Sequence, residues 1–404
     1  MNGPGQDPGS HERLWEFIPL GDYRSPQRPT ASAARERWAS LRRLFGKWSD
    51  GADKPAKAEG ELGRLPEQRL DVLVRPLDWD ASAAALDSAL AQSAGEGPVS
   101  FVIGPPHSGQ ADLLRCWAAK HDAPSIEAPR YEDILAGDGG WLAAWPSGAE
   151  PWVLPRLEHC WLRHAAGLGL VRELLQRALA GELGRGLIGC DSWAWSYLGQ
   201  VAPLVASSAM TLQAFDGRRL ARLFRSLAAV EGAGGVRFCD ARTGKVILAI
   251  DDDDDGDGGP ALQHLAARAR GNPGTARLLW RAWLRSEPEP ASDREKAGAG
   301  ERGGFGVEQT VWVSGLRDGL ELPGSLDEET ALVLHALLLH NGLPASILAD
   351  LLPVHRVRVH TVVLQLAAAG IIARDGADRW RVTAPAYAAV RVFLHGLGFL
   401  IDAL

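Results

Sequence analysis

Gly104 and Gly109 stand five positions apart in Phe-Val-Ile-Gly-Pro-Pro-His-Ser-Gly-Gln-Ala, residues 101–111. That is the spacing of G-x-x-x-x-G-K-[ST], the loop whose backbone N–H groups and following helix N-terminus cradle phosphate. The chemistry of that loop needs a lysine for the outer phosphates and a hydroxyl for magnesium. Gln110 occupies the lysine position and Ala111 the hydroxyl position. Gln110 can hydrogen-bond but carries no charge, Ala111 cannot ligate a metal, and Asp112 brings a negative charge nearby. Ser108, Gly109 and the backbone at Gly104 and His107 remain as phosphate donors. No catalytic role attaches to His107. Phosphoryl transfer depends on positioning and electrostatics, so this loop predicts little or no hydrolysis.

The carboxylate that should hold magnesium is displaced as well. In the strand segment Trp152-Val-Leu-Pro-Arg-Leu-Glu, Pro155 and Arg156 fill the expected acidic positions and Glu158 follows late. A further strand ends in Cys190-Asp191-Ser192. There a polar side chain either meets a γ-phosphate or caps the next helix, and capping is the plainer reading of Asp191 and Ser192. For Glu158 an ordinary helix-start carboxylate is the plainer reading, with the metal-holding role as the alternative.

These residues must be carried by an α/β sheet. Apolar stretches at 99–103, 124–128, 151–154, 186–190 and 210–214 alternate with helical patterns, which predicts parallel strands. Residues 234–250 read as a hairpin. The run Asp251–Asp255 with Gly256 opens like a calcium loop, but Leu262 stands at the closing glutamate position, so a solvated acidic loop is expected and no metal. The expected division is 1–66, a mostly disordered region; 67–215, the α/β block; 216–285, a helical lid with the hairpin inserted; 286–325, a linker; and 326–404, helix, helix, helix, two-stranded ribbon, helix. That last order is a winged helix-turn-helix.

The chain resembles the AAA+ and STAND class of P-loop ATPases, in particular the initiator type with a winged helix behind its lid. Four features carry the resemblance: the loop Gly104–Ala111, the strand end Cys190–Ser192, the segment 210–224 from Met-Thr-Leu-Gln-Ala-Phe-Asp to Arg-Leu-Phe, and Gly271-Asn-Pro-Gly-Thr-Ala-Arg. The resemblance implies a bound ATP or ADP and places Arg277 near its phosphate. The departures at Gln110, Ala111 and Pro155 imply weak binding, no magnesium and a pseudo-ATPase adaptor or nucleotide sensor that assembles with itself or with protein partners. Two alternatives stay open: an initiator-like DNA-binding ATPase, and an active ATPase using Glu158.

Composition sets the remaining bounds. The net charge is −7 over 404 residues, and six lysines stand against 37 arginines. Such a chain lacks the overall basic footprint of a nucleic-acid binder. Residues 326–404 hold six arginines and seven acids. Arg356 and Arg358 on the third helix, with Arg379 and Arg381 on the ribbon, are the candidate DNA contacts, and protein docking is favoured over DNA. Cys116, Cys160, Cys190 and Cys239 form no metal-type pair and read as reduced thiols, which with the lack of a signal-like N-terminus predicts a cytoplasmic protein. Ala34, Trp38, Leu41, Phe45 and Trp48 share one face of a basic helix at 31–49, which either packs back on its own domain, the plainer reading, or seats on a partner or on the inner face of a membrane. The uncharged run 192–215 reads as helix then strand.

Overall fold

The computed structural model describes residues 13–27, 56–57, 61–92, 97–146, 151–202, 209–228, 235–250, 259–287, 309–315, 320, 322–324 and 326–404. The basic segment 31–49 and the acidic run Asp251, Asp253, Asp255 and Gly256 lie outside them. Among the described residues no helix is long and apolar enough to cross a membrane.

The first sheet has the order β1-β6-β3-β5-β4. Its members are β1 (Phe17–Pro19), β3 (Val99–Gly104), β4 (Trp152–Leu154), β5 (Gly186–Asp191) and β6 (Ala209–Leu212). β3, β4, β5 and β6 run parallel, and only β1 is antiparallel, to β6. Both faces are covered, so β3 and β5 are nearly continuous apolar runs rather than alternating ones. The expected strand at 124–128 shrinks to one bridge, Ser125 beside Val153, because Pro124 and Pro129 bound a segment too short to extend the ladder.

Residues 13–27, expected in a disordered region, belong to the body. Trp15 is buried against Phe215 and Trp79, at 5.3 and 5.8 Å between ring centroids. Glu16 pairs at 2.9 Å with the buried Arg219.

The hairpin expected within 216–285 belongs to a larger sheet. Hairpin strands β7 (Val236–Asp240) and β8 (Val246–Ala249) join β2 (Gly63–Arg64), β9 (Leu284–Ser286) and β10 (Gln309–Val313) in a second five-stranded sheet. β10 lies within the stretch expected to be linker, yet it pairs in parallel with β7 and buries Val311 and Val313. This sheet shares a core with α8 (Gly217–Ala228), α9 (Gly259–Arg268) and α10 (Pro273–Trp283), where Phe224 stacks on Trp280 at 4.8 Å. Two short helices precede the first sheet's loop strand, α1 (Glu67–Leu73) and α2 (Asp80–Gln92).

Five more helices flank the first sheet: α3 (Gln110–Lys120), α4 (Tyr131–Ala136), α5 (Gly140–Ala143), α6 (Gly169–Leu179) and α7 (Ser192–Val201). The C-terminal block then runs α11 (Glu328–Leu339), α12 (Ala345–Leu351), α13 (Arg356–Ala368), β11 (Ile372–Arg374), β12 (Trp380–Val382) and α14 (Ala384–Gly396). Asp327 caps α11 by accepting from Thr330 N at 2.9 Å. Gly370, at φ +70°, closes α13 in the left-handed conformation that favours glycine. Apolar residues of this block and of the first sheet form one continuous core, so the block is packed on the sheet rather than tethered to it.

Candidate functional site

In an open α/β sheet, ligands bind at the carboxyl ends of the strands where the chain order switches direction. Here that point is the end of β3, with β6 on one side and β5 and β4 on the other. The loop Pro105–Gly109 leaves β3 at this point, and Gly109 adopts φ +80° to start α3.

The interior of the loop is occupied by its own side chains. Gln110 folds back so that its Oε1 accepts from Ser108 Oγ at 3.0 Å. A Cβ on Gly104 would fall 1.9 Å from Gln110 Oε1 and 2.5 Å from Ser108 Oγ, so both groups lie against the bare Cα. A Cβ on Gly109 would fall 2.3 Å from the Trp79 ring. The start of α10 closes the other side. Asn272 caps α10 by accepting from Gly274 N and Thr275 N, and its Nδ2 donates to Pro106 O at 2.8 Å. A Cβ on Gly274 would fall 1.9 Å from His107 O. Replacing Gly274 by Ala should therefore force the lid helix off the loop. A loss of about 3 kcal/mol is expected, the upper part of the overpacking range, read from the urea midpoint at unchanged slope.

A cavity of about 30 Å³ remains beside the loop, lined by Phe17, Tyr23, Trp79, Gln110, Leu212 and Pro273 among others. It has room for roughly two waters, whereas small-molecule pockets run to hundreds of Å³. Ala111 is buried. Asp112 turns away from the loop to pair with Arg115 at 3.2 Å. Arg277 is engaged by main-chain carbonyls. Its guanidinium donates to Arg75 O and Val74 O, at 2.5 and 3.1 Å, and holds the connection between α1 and α2.

The strand ends bury the remaining candidates under the C-terminal block. Glu158, fully buried, accepts from Asp191 N at 3.1 Å. Asp191 accepts from Trp193 N at 3.0 Å and caps α7, as the plainer sequence reading has it. Its second oxygen, and Nε and Nη1 of Arg156, are buried without a protein partner. Burial pushes both carboxyls above their ordinary values, and for Asp191 the Glu158 charge adds to the effect. Among the described residues no group of three or more His, Cys, Asp or Glu side chains is arranged to hold a metal. Ser192 Oγ donates to Asp402 at 2.7 Å.

Four histidines line the same junction. His107 Nε2 donates to Val382 O at 2.9 Å, and burial, with Arg381 nearby, lowers its pKa to about 4. His335 and His340 on or beside α11 are also lowered to about 4, chiefly by burial, with Arg163 as a neighbouring cation. His159 contacts Arg379 at 3.1 Å and is pushed well below the ordinary imidazole value by burial and that guanidinium.

The arginines placed on a DNA-facing surface are all engaged within the chain. Arg356 pairs with Asp350 at 2.7 Å, and Arg358 with Glu329 at 2.7 Å and with Asp327. Arg379 pairs with Asp375 at 2.8 Å, and Arg381, largely buried, donates to Asn341 at 2.5 Å. Arg379 and Arg381 face the first sheet rather than solvent. The outward side of α13 presents Val357 and Leu364, exposed by 68% and 65%, beside the exposed polar residues Arg356, His360, Thr361 and Gln365. Asp402, His335, His340 and Trp79, which close the site, carry no motif that marks them in the sequence.

No family model matches the sequence, and no curated protein matches it. Among solved structures the chain is similar to the RuvB Holliday junction branch migration motor of Thermotoga maritima. The two share 17% identity over 83% of this chain and 94% of that one, with a TM-score of 0.32. It is also similar to Cdc6p from Pyrobaculum aerophilum, at 11% identity over 83% of this chain and 99% of that one, with a TM-score of 0.30. At these scores the functional reading rests on the site itself.

Proposed function

We propose that the chain is an AAA+/STAND-type P-loop protein with a C-terminal winged helix, and that it works as a pseudo-ATPase adaptor. In this reading the loop is a structural joint between sheet, lid and C-terminal block. The protein acts by assembly with partners or with itself rather than by ATP cleavage. The observation that carries it is the occupied loop: Gln110 and Ser108 fill the space against Gly104, and Asn272 to Gly274 close it from the lid. A carboxamide in that place offers neither the charge of a lysine nor room for a phosphate. The burial of Glu158 and Asp191 under the C-terminal block supports the same reading, because each accepts from a backbone N–H at the strand end, Asp191 as the cap of α7.

Any ATP or ADP that binds does so weakly, through loop backbone groups after the lid has moved, with no contribution from Arg277 and none from magnesium. The DNA-binding alternative is disfavoured by the engagement of Arg379 with Asp375 and of Arg381 with Asn341, both turned from solvent, whereas Arg356 and Arg358 are paired at the surface. Titration of the purified protein with labelled ATP, with and without magnesium, checks the proposal. Absent turnover and a binding curve indifferent to magnesium are expected; magnesium-dependent turnover lost on Gln110→Ala substitution would refute it.

A further inference from the structure

The second sheet has two faces of opposite character. Val311 and Val313 of β10, Val236 and Phe238 of β7 and Leu284 of β9 are buried in the core shared with α8, α9 and α10. Successive strand residues point to opposite sides, so Trp312, Arg237 and Arg285 belong to the reverse face. Strand register gathers them. Arg64 stands across from Arg285, Arg285 across from Trp312, and Trp312 across from Cys239, in one row over β2, β9, β10 and β7. In the neighbouring row Thr310 stands across from Arg237. Arg64, Thr310 and Arg237 are exposed and Trp312 is half-buried. An indole therefore lies amid three guanidinium-bearing positions on one sheet surface.

The charge on this surface is one-sided. Arg242 and Lys245, both exposed, add two cations in the turn between β7 and β8. The carboxylates beside it, Asp240 and Glu287, are engaged locally. Asp240 Oδ1 accepts from Arg242 N and Thr243 N at 2.8 and 3.1 Å and shapes that turn. Glu287 accepts from Trp312 Nε1 at 2.9 Å and pairs with Lys57 at 3.2 Å, while Lys57 Nζ stands 5.9 Å from the Trp312 ring centroid. Counting Lys57, six cations stand against those two carboxylates. A net charge of −7 for the whole chain leaves room for such a local patch.

We propose that this face binds single-stranded nucleic acid, with bases stacking on Trp312 and phosphates lying on Arg64, Arg237 and Arg285. Charge complementarity and shape argue for that occupant. An unpaired strand offers a π-face and a negative charge at every residue, and an aromatic among cations on a sheet answers both. A duplex hides its base faces, and an acidic peptide brings charge without rings. Arg64 and Arg285 are like charges directly across a strand pair, which favours an anion between them. This surface is separate from the arginines of the C-terminal block, and it does not depend on the nucleotide reading.

Fluorescence anisotropy of the full chain with labelled oligothymidylate and oligouridylate, each of about twelve nucleotides, tests it. Both should bind, because neither stacking nor phosphate contact uses the 2′-hydroxyl. The plot of log affinity against log salt should have a slope of about −2, from three phosphates at roughly 0.7 each. Trp312→Ala should weaken binding about tenfold or more and leave that slope unchanged. Arg64→Ala should make the slope shallower by about 0.7. An unlabelled duplex, or polyglutamate standing for an acidic segment such as Asp251–Asp255, should compete poorly at matched charge. Failure of both oligomers to bind at low salt would overturn the inference. So would equal competition by duplex or polyglutamate, or native affinity in a folded Trp312→Ala protein. Arg64 is exposed on an edge strand, so Arg64→Ala keeps the test decisive where Trp312→Ala does not fold: a slope left at the native value would also overturn it.

Discussion

Asp402→Ala is expected to destabilise the chain by about 3–5 kcal/mol, the range for removing one partner of a buried ion pair. The carboxylate is fully buried and Arg391 largely so, at 0% and 16% side-chain exposure, and they meet at 2.9 Å. Without the carboxylate, the Arg391 charge stays buried beside two hydroxyl donors, Ser192 and Tyr387, that have lost their acceptor. Solvent cannot compensate in a closed junction, so the penalty is that of desolvated donors rather than of one hydrogen bond. Urea denaturation followed by tryptophan fluorescence reads the loss, and Trp193, whose Nε1 donates to Tyr387 Oη at 3.0 Å, reports from inside the site. Asp402→Asn should lose less, since the carboxamide keeps one acceptor.

The second large effect is on acid stability. His107, His335 and His340 are held near pKa 4 in the folded chain, against about 6.5 in the unfolded one. A base whose folded pKa is depressed takes its proton first in the unfolded state. Stability is therefore lost as pH falls from about 6.5 toward 4. Between pH 6.5 and 5 each histidine should cost roughly 1.5 kcal/mol, and the three together about 4–5 kcal/mol at order of magnitude. The buried carboxyls pull the other way. Glu158 and Asp191 have raised folded values, so their contribution is full below the unfolded carboxyl pKa and is lost as pH rises through the folded one. The two slopes oppose each other below pH 6.5. Asp191→Asn separates them. It should raise stability at pH 8, where the buried charge is removed, and steepen the acid loss, where the histidines then act with less opposition. Urea midpoints from pH 5 to 8 for both proteins measure this, and parallel pH profiles would contradict it.

Much of the sheet was legible because a parallel strand covered on both faces must be a short apolar run, as Val99–Gly104 and Gly186–Asp191 are. The loop was legible because Gly104 and Gly109 are there for backbone reasons that leave a fixed spacing. What was not legible depends on partners distant in sequence. Phe17–Pro19 is only three residues long and becomes a strand because β6 offers an edge. Gln309–Val313 sits next to a Gly-rich stretch and gains its status from β7, more than 60 residues earlier by number. Gln110 could be read as a missing lysine, but not as a side chain that turns inward to fill the loop; that follows from Ser108 and the bare Cα of Gly104. Arg277 fits the resemblance in position and differs in direction, because Val74 and Arg75 offer it carbonyl oxygens. One signal was present and unused. Asp402 is a lone charge in Phe-Leu-Ile-Asp-Ala-Leu, and a lone charge in an apolar segment needs a buried partner if that segment packs.

Gln110 and Ser108 of the chain itself fill the loop against Gly104, where the proposed function would otherwise seat a phosphate. Acid extraction of the natively purified protein, followed by anion-exchange quantification of released nucleotide, tests it most directly. The account predicts far less than one ATP or ADP per chain, with no increase when magnesium is kept present throughout purification. One nucleotide per chain, retained in a magnesium-dependent manner, would contradict it.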